Sequence, residues 1–349
     1  MCTRPLSIAK LAHIMFLESN LGDPGLFAGS VQLEREAIAS LAELLHGPTG
    51  TTGFIVSGGT EANLMAMYAA RNAAQVNSPE VVVPESAHFS FCKVCDMLNL
   101  KMVKAPLDAN FRVNPEQMAQ SITKRTVAIM GNAGSAELGT VDPIEALSKI
   151  AVQHDVPLHV DAAFGGLLLP FLKELGYSTP EFDFGSAGVQ SVTVDPHKMG
   201  LSTIPAGGIL FRNSQSLQCI KTQTPYLTEE TQCTFVGTRS AASTAAAWAV
   251  FESLGREGFR KNVKRCMELT IQLYEGLEEA GFEVLLRPQM NIVAFRNANP
   301  RLLAHKLLQN GWHTSFVPRL NCVRVVVMPH LNKQQMTSFL KCLQEITAS

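Results

Sequence analysis

The 349-residue sequence has almost no net charge. Its 29 lysines and arginines are balanced by 30 aspartates and glutamates, with no long block of one sign. That removes the electrostatic footprint of a nucleic-acid or membrane-surface protein and leaves a small molecule as the expected ligand. No uninterrupted apolar run reaches the ~18 residues of a membrane span, and the opening Met-Cys-Thr-Arg-Pro has no signal-type apolar segment. Eight cysteines are scattered through apolar and helical patterns without a disulfide framework, as expected for thiols in a reducing cytoplasm. Cys92 and Cys95 have zinc-type spacing, but no second pair matches it, so the two read as thiols on a helical turn and no metal is expected.

What the chain does have is apolar content, 46% of its residues, enough for a large α/β unit with a smaller one beside it. An N-terminal arm is expected over 1–29, with a helix at 8–17. Short apolar strands at 52–56, 81–83, 102–105, 127–130, 158–160, 191–194 and 208–211 alternate with helical patterns. This predicts a mostly parallel sheet covered by helices over 30–250, its last strand a candidate to run antiparallel. From 251 to 349, strands at 282–286, 292–295 and 322–328 mix with helices at 300–310 and 333–346 as a small C-terminal α+β domain.

The most informative run is Val-Thr-Val-Asp-Pro-His-Lys-Met at 192–199, where a β-branched strand leads into Lys198. Desolvation at a strand end disfavours a charged amine and frees it for imine chemistry, although lysine also occurs there as an ordinary loop charge. Upstream, Leu158-His159-Val160-Asp161 is another apolar strand ending in an acid, followed by small residues including Ala163. A Schiff-base lysine and an aspartate for a pyridinium nitrogen are the two protein groups that pyridoxal phosphate requires.

Ser57-Gly58-Gly59-Thr60 joins a strand to a helix, where glycines admit an anion to the helix's first N–H groups. A capped helix start without a ligand has the same composition. The turn lacks both a Walker Gly-Lys-Ser/Thr ending and a dinucleotide Gly-x-Gly-x-x-Gly, so a small terminal phosphate suits it best. His88 follows the 81–83 strand and could stack on a planar ring or serve as a loop residue. His159, inside its strand, reads as a satisfied core or supporting group. Ser135, in Gly131-Asn132-Ala133-Gly134-Ser135, could donate to a ring oxygen or close a glycine-rich turn. Arg324 interrupts the apolar 323–328 run and needs a carboxylate from protein or ligand.

Ser-Gly-Gly-Thr-Glu-Ala-Asn (57–63), Ala-His-Phe-Ser-Phe (87–91), His-Val-Asp-Ala-Ala-Phe-Gly-Gly (159–166) and Asp-Pro-His-Lys-Met-Gly (195–200) together resemble the pyridoxal-phosphate group II decarboxylases. Pro-Tyr-Leu-Thr-Glu (225–229) and Val-Val-Met-Pro-His (326–330) narrow the resemblance to archaeal members acting on L-tyrosine or L-aspartate. The resemblance implies a fold-type-I pyridoxal-phosphate enzyme that decarboxylates an L-amino acid, as a homodimer with shared active sites. It implies Lys198 as the imine lysine, Asp161 at the ring nitrogen, and His88 and Ala163 on the two ring faces. Gly58, Gly59, Thr60 and His197 would hold the phosphate, Ser135 would lie near the ring oxygen, and Thr238 would reach a phosphate across the interface. Arg324 would bind the substrate carboxylate.

Relatives generally carry a further N-terminal stretch, so the start is expected to be truncated or misassigned. Where they often have Thr, Ala136 stands. The loop tyrosine of aromatic amino-acid decarboxylases has no counterpart in 228–236, which leaves His88, Lys198 or another acid to protonate Cα. Aminotransferases and carbon–carbon lyases share the lysine, aspartate and histidine and are the competing activities. A non-catalytic relative of the same fold is a further alternative.

Overall fold

A computed structural model describes residues 3–348; Met1, Cys2 and Ser349, at the ends of the expected arm and C-terminal domain, lie outside the described residues. Seven strands form the large sheet: β1 (Thr52–Val56), β2 (Glu80–Pro84), β3 (Lys101–Ala105), β4 (Thr126–Asn132), β5 (Leu158–Asp161), β6 (Val189–Val194) and β7 (Gly207–Phe211). Their order is β1-β7-β6-β5-β4-β2-β3, with β7 antiparallel to both neighbours and the other pairs parallel. The expected mostly parallel sheet with an antiparallel last strand is therefore present. Central strands buried along their whole length explain why their sequences read as continuous apolar runs rather than alternating ones.

Helices α1 (Ser7–Met15), α2 (Ala28–Leu44), α3 (Gly59–Ala74), α4 (Ser90–Leu98), α5 (Pro115–Gln120), α6 (Ile144–His154), α7 (Leu169–Glu174) and α8 (Gln215–Gln218) occupy the connections and the N-terminal arm. Two-residue strands β8 (Thr222–Gln223) and β9 (Thr231–Gln232) make a small hairpin. The arm is pinned to the segment after it: Leu21 N donates to Arg239 O (2.7 Å), and Ala241 N donates to Ser19 O (2.8 Å).

The long α9 (Ala242–Glu279) is interrupted at Gly255, whose φ of 52° and ψ of −173° are not helical. Its side chains through Met267 pack into the core of the large sheet, and from Leu269 onward into that of a second sheet. Residue 250, where the division was expected, falls inside this helix. The second sheet is antiparallel, ordered β10 (Glu283–Val284), β11 (Ile292–Arg296), β13 (Cys322–Val326) and β12 (Ser315–Val317), with α10 (Pro300–Gln309) packed on β12 and β13 and α11 (Lys333–Ala348) against α9 and α10 in the same core. β12 is too short to show as a periodic run in the sequence.

Candidate active site

Because β7 is antiparallel to both β1 and β6, β1 runs in the same direction as the parallel strands. The carboxyl ends of β1, β2, β4, β5 and β6 consequently open on one edge of the sheet, where α/β proteins place ligands. A cavity of about 430 Å3 lies there, within the range of small-ligand sites. Its lining includes Gly58, Gly59, Thr60, His88, Asp161, Ala163, His197 and Lys198, brought together from four chain segments.

Lys198 follows β6 through one tight turn, in which Lys198 N donates to Asp195 O (3.0 Å). The same turn sets Lys198 Nζ 2.8 Å from Asp195 Oδ2. Asp195 is buried, which pushes its carboxyl up, while Lys198 and His197 pull it down. Burial holds His197 below the usual imidazole value despite Asp195. Ala206 N donates to His197 Nδ1 (3.2 Å), so in the neutral ring Nε2–H is the remaining donor.

Asp161 ends β5 with both carboxylate oxygens engaged: Oδ1 accepts from Ala163 N (3.1 Å) and Oδ2 from Asn63 Nδ2 (2.9 Å). His88 stands half-buried after β2, its Nδ1 accepting from Ser90 N (3.3 Å) and its ring centroid 4.1 Å from that of Phe89. Burial is the main cause that lowers its pKa, with Lys198 and Lys93 adding to it, against Asp161 and Asp195. Both histidines are therefore mainly neutral at pH 7.

The residues present fit pyridoxal phosphate. At the start of α3, a Cβ on Gly58 would sit 3.3 Å from His197 Cε1, and one on Gly59 would sit 3.1 Å from Asp195 Oδ2, so a side chain at either position would crowd the cavity floor. The first N–H groups of this helix lack intrahelical partners and suit an anion. A lysine amine, a carboxylate with two fixed donors and a neutral imidazole complete the donor set for an aldehyde, a protonated ring nitrogen and a planar ring.

Three of the expected residues lie outside this lining. Ser135 does not line the cavity: its buried hydroxyl lies 2.8 Å from Thr140 Oγ1 and accepts from Thr140 N (3.2 Å), closing the glycine-rich turn. Arg324 stands behind the wall, Nη1 donating to the carbonyl of cavity-lining Ala136 and Nη2 to Ser315 Oγ (3.2 Å), while its buried Nε has no partner among the described residues. Thr238 is exposed on the 233–240 loop and is not part of its own chain's cavity. Asn63, Asn132 and Asp195 line the cavity without having been assigned a role from sequence. Asn63 and Asp195 lie inside the motifs at 57–63 and 195–200, and that adjacency was the available signal.

The family model of the pyridoxal-dependent decarboxylase conserved domain matches residues 28–298. A probable L-tyrosine/L-aspartate decarboxylase of Methanothermobacter thermautotrophicus is 49% identical over 99% of this chain and 96% of its own length. An L-aspartate/L-glutamate decarboxylase of Pyrococcus horikoshii is 44% identical over 99% of this chain and 90% of its own. Among solved structures, a sphingosine-1-phosphate lyase of Burkholderia pseudomallei superposes with a TM-score of 0.93 at 27% identity, covering 99% of this chain and 85% of that one.

Proposed function

The chain belongs to the pyridoxal-dependent decarboxylase family and is a pyridoxal-phosphate-dependent amino-acid decarboxylase; from that premise we propose that its substrate is L-tyrosine, giving tyramine, or L-aspartate, giving β-alanine. The names of the relatives similar over nearly the whole chain support this substrate class. The observation that carries the site assignment is the single cavity that gathers Lys198, Asp161, His88 and the Gly58–Gly59 turn.

Lys198 would bond the cofactor's aldehyde carbon. Gly58, Gly59, Thr60 and His197 would hold its phosphate, with His197 donating from Nε2. Asp161 would accept from the ring nitrogen, and His88 and Ala163 would cover the two ring faces. Bound pyridoxal phosphate supplies the electron sink for the pair left at Cα when carbon dioxide departs. His88, held below the usual imidazole value mainly by burial, would pack against the ring without adding a competing cation. His88, Lys198 or another acid would return a proton to Cα.

The active form is a homodimer. Leu26, Tyr226, Phe235 and Val236 are 68%, 87%, 55% and 42% exposed and apolar, and Thr238 lies beside the last two, consistent with a second copy covering this face. We place the enzyme in the cytoplasm, where its free cysteines stay reduced; among the described residues no helix is long and apolar enough to cross a membrane.

Carbon dioxide release assayed with tyrosine, aspartate and glutamate tests the substrate. Release only from glutamate, or keto-acid formation in place of amine, would overturn the proposal. Lys198→Ala abolishes both turnover and the visible absorbance of bound cofactor, and retained turnover would remove Lys198 from its assigned place.

A further inference from the structure

Asn63 is buried on α3, at 1% exposure, and all four of its side-chain hydrogen-bonding positions are used. Nδ2 donates to Asp161 Oδ2 (2.9 Å) and to Ser90 Oγ (3.2 Å). Oδ1 accepts from Thr193 Oγ1 (2.8 Å) and lies 3.0 Å from His159 Nε2. His159 Nδ1 lies 2.8 Å from Ser191 Oγ.

The directions of these bonds follow from one end. An amide oxygen turned toward the Asp161 carboxylate would set two acceptors against each other, so Nδ2 faces Asp161 and Oδ1 faces His159. His159 Nε2 must then carry the proton. Burial holds that imidazole down at about pKa 4, so at neutral pH the ring is uncharged and Nδ1 accepts from the Ser191 hydroxyl. The chain Ser191, His159, Asn63, Asp161 thus has one internally consistent proton arrangement, and two β-strand residues, His159 and Thr193, brace one helix residue behind the carboxylate.

We propose that Asn63 and His159 are positioning residues that fix the Asp161 carboxylate as an acceptor aimed at the cofactor's ring nitrogen. Neither touches the reacting atoms. This inference rests on the assignment of Asp161 to the ring nitrogen. With Oδ2 held by Asn63 and Oδ1 by Ala163 N, the carboxylate cannot rotate freely, and its remaining lone pairs are directed without reorganisation.

The test is equilibrium dialysis of the full-length apoprotein with pyridoxal phosphate and with 1-deazapyridoxal phosphate, which has carbon in place of the ring nitrogen. Asn63→Leu weakens pyridoxal phosphate binding roughly tenfold to a hundredfold, the loss expected for a hydrogen bond to a charged group, and leaves the deaza analogue unchanged. Equal loss for both ligands, or no loss, overturns the proposal. Asp161→Ala serves as the control. If it removes the preference for the nitrogen-containing ligand and Asn63→Leu does not, the positioning role alone falls. If it leaves the preference intact, the ring-nitrogen assignment falls and the inference with it. A measurement independent of any folding defect is 15N-histidine NMR of the wild-type apoprotein, with the His159 signal identified by its absence in His159→Gln. A neutral Nε2–H tautomer is expected, and an Nδ1–H tautomer overturns the chain of bonds.

Discussion

Lys198 Nζ lies 2.8 Å from Asp195 Oδ2, within one turn of chain and beneath the glycine cradle. Asp195 Oδ1 has no hydrogen-bond partner among the described residues, so this carboxylate depends on the lysine for compensation. Removing Asp195 takes this carboxylate away from a partly desolvated amine. Asp195→Ala is expected to lower the unfolding free energy of the apoprotein by about 3 kcal/mol, the scale for breaking a buried pair from one side. Urea denaturation checks this, and an unchanged midpoint would show that the pair contributes nothing.

Gly207 opens β7 directly against the Gly58–Gly59 turn. A Cβ there would come 2.4 Å from Gly58 Cα and 2.5 Å from Gly58 C, both backbone atoms that cannot swing aside. Gly207→Ala therefore displaces the turn that begins α3. The expected outcome is a rise of about tenfold in the dissociation constant for pyridoxal phosphate, matching an overpacking cost near 1–2 kcal/mol. Wild-type affinity in this variant would show that the turn absorbs the methyl elsewhere.

His159 links pH to stability. Burial lowers its pKa from 6.5 to about 4, against the opposing influence of Asp161 and Ser191. As pH falls through 6.5 the unfolded chain takes up this proton, and the folded chain does not until about 4. The unfolded state binds more protons in that window, so this histidine's contribution to stability is lost as pH falls from 6.5 toward 4. One proton corresponds to a slope of at most about 1.4 kcal/mol per pH unit. Stability curves of His159→Gln should be flatter than wild type over that range, and parallel curves would contradict the assignment.

Arg239 and Glu34 form a buried pair, Nη1 to Oε1 at 2.8 Å, with Nη1 also donating to Ile55 O (2.7 Å). The pair ties α2 and β1 to the strap on which the N-terminal arm rests. Arg239→Ala should cost about 3 kcal/mol or more, because it leaves Glu34 buried and uncompensated. Limited proteolysis should also become faster near residues 19–26. An unchanged cleavage rate with reduced stability would separate the pair from the docking of the arm.

The chemistry-bearing motifs were legible in the sequence because each is local. Asp161 and Lys198 end or closely follow strands whose apolar runs mark them, and Gly58-Gly59-Thr60 sits between strand and helix patterns that survive folding. The strand-to-helix alternation likewise foretold a parallel sheet, since a strand buried on both faces must be apolar throughout. The division at 250 was less legible: α9 runs from one core to the other, and its periodicity carries no mark of which sheet it faces.

Composition, the alternation of elements and the short motifs were thus enough to determine the fold class and the groups available for the chemistry. Only the tertiary structure decided where side chains point. Ser135 is captured by Thr140, Arg324 by the Ala136 carbonyl, and Asp161 by Asn63, 98 positions earlier in the chain. A hydroxyl, guanidinium or amide bonds whichever partner folding brings within about 3 Å, and that proximity is set by the packing of distant segments rather than by neighbours in sequence.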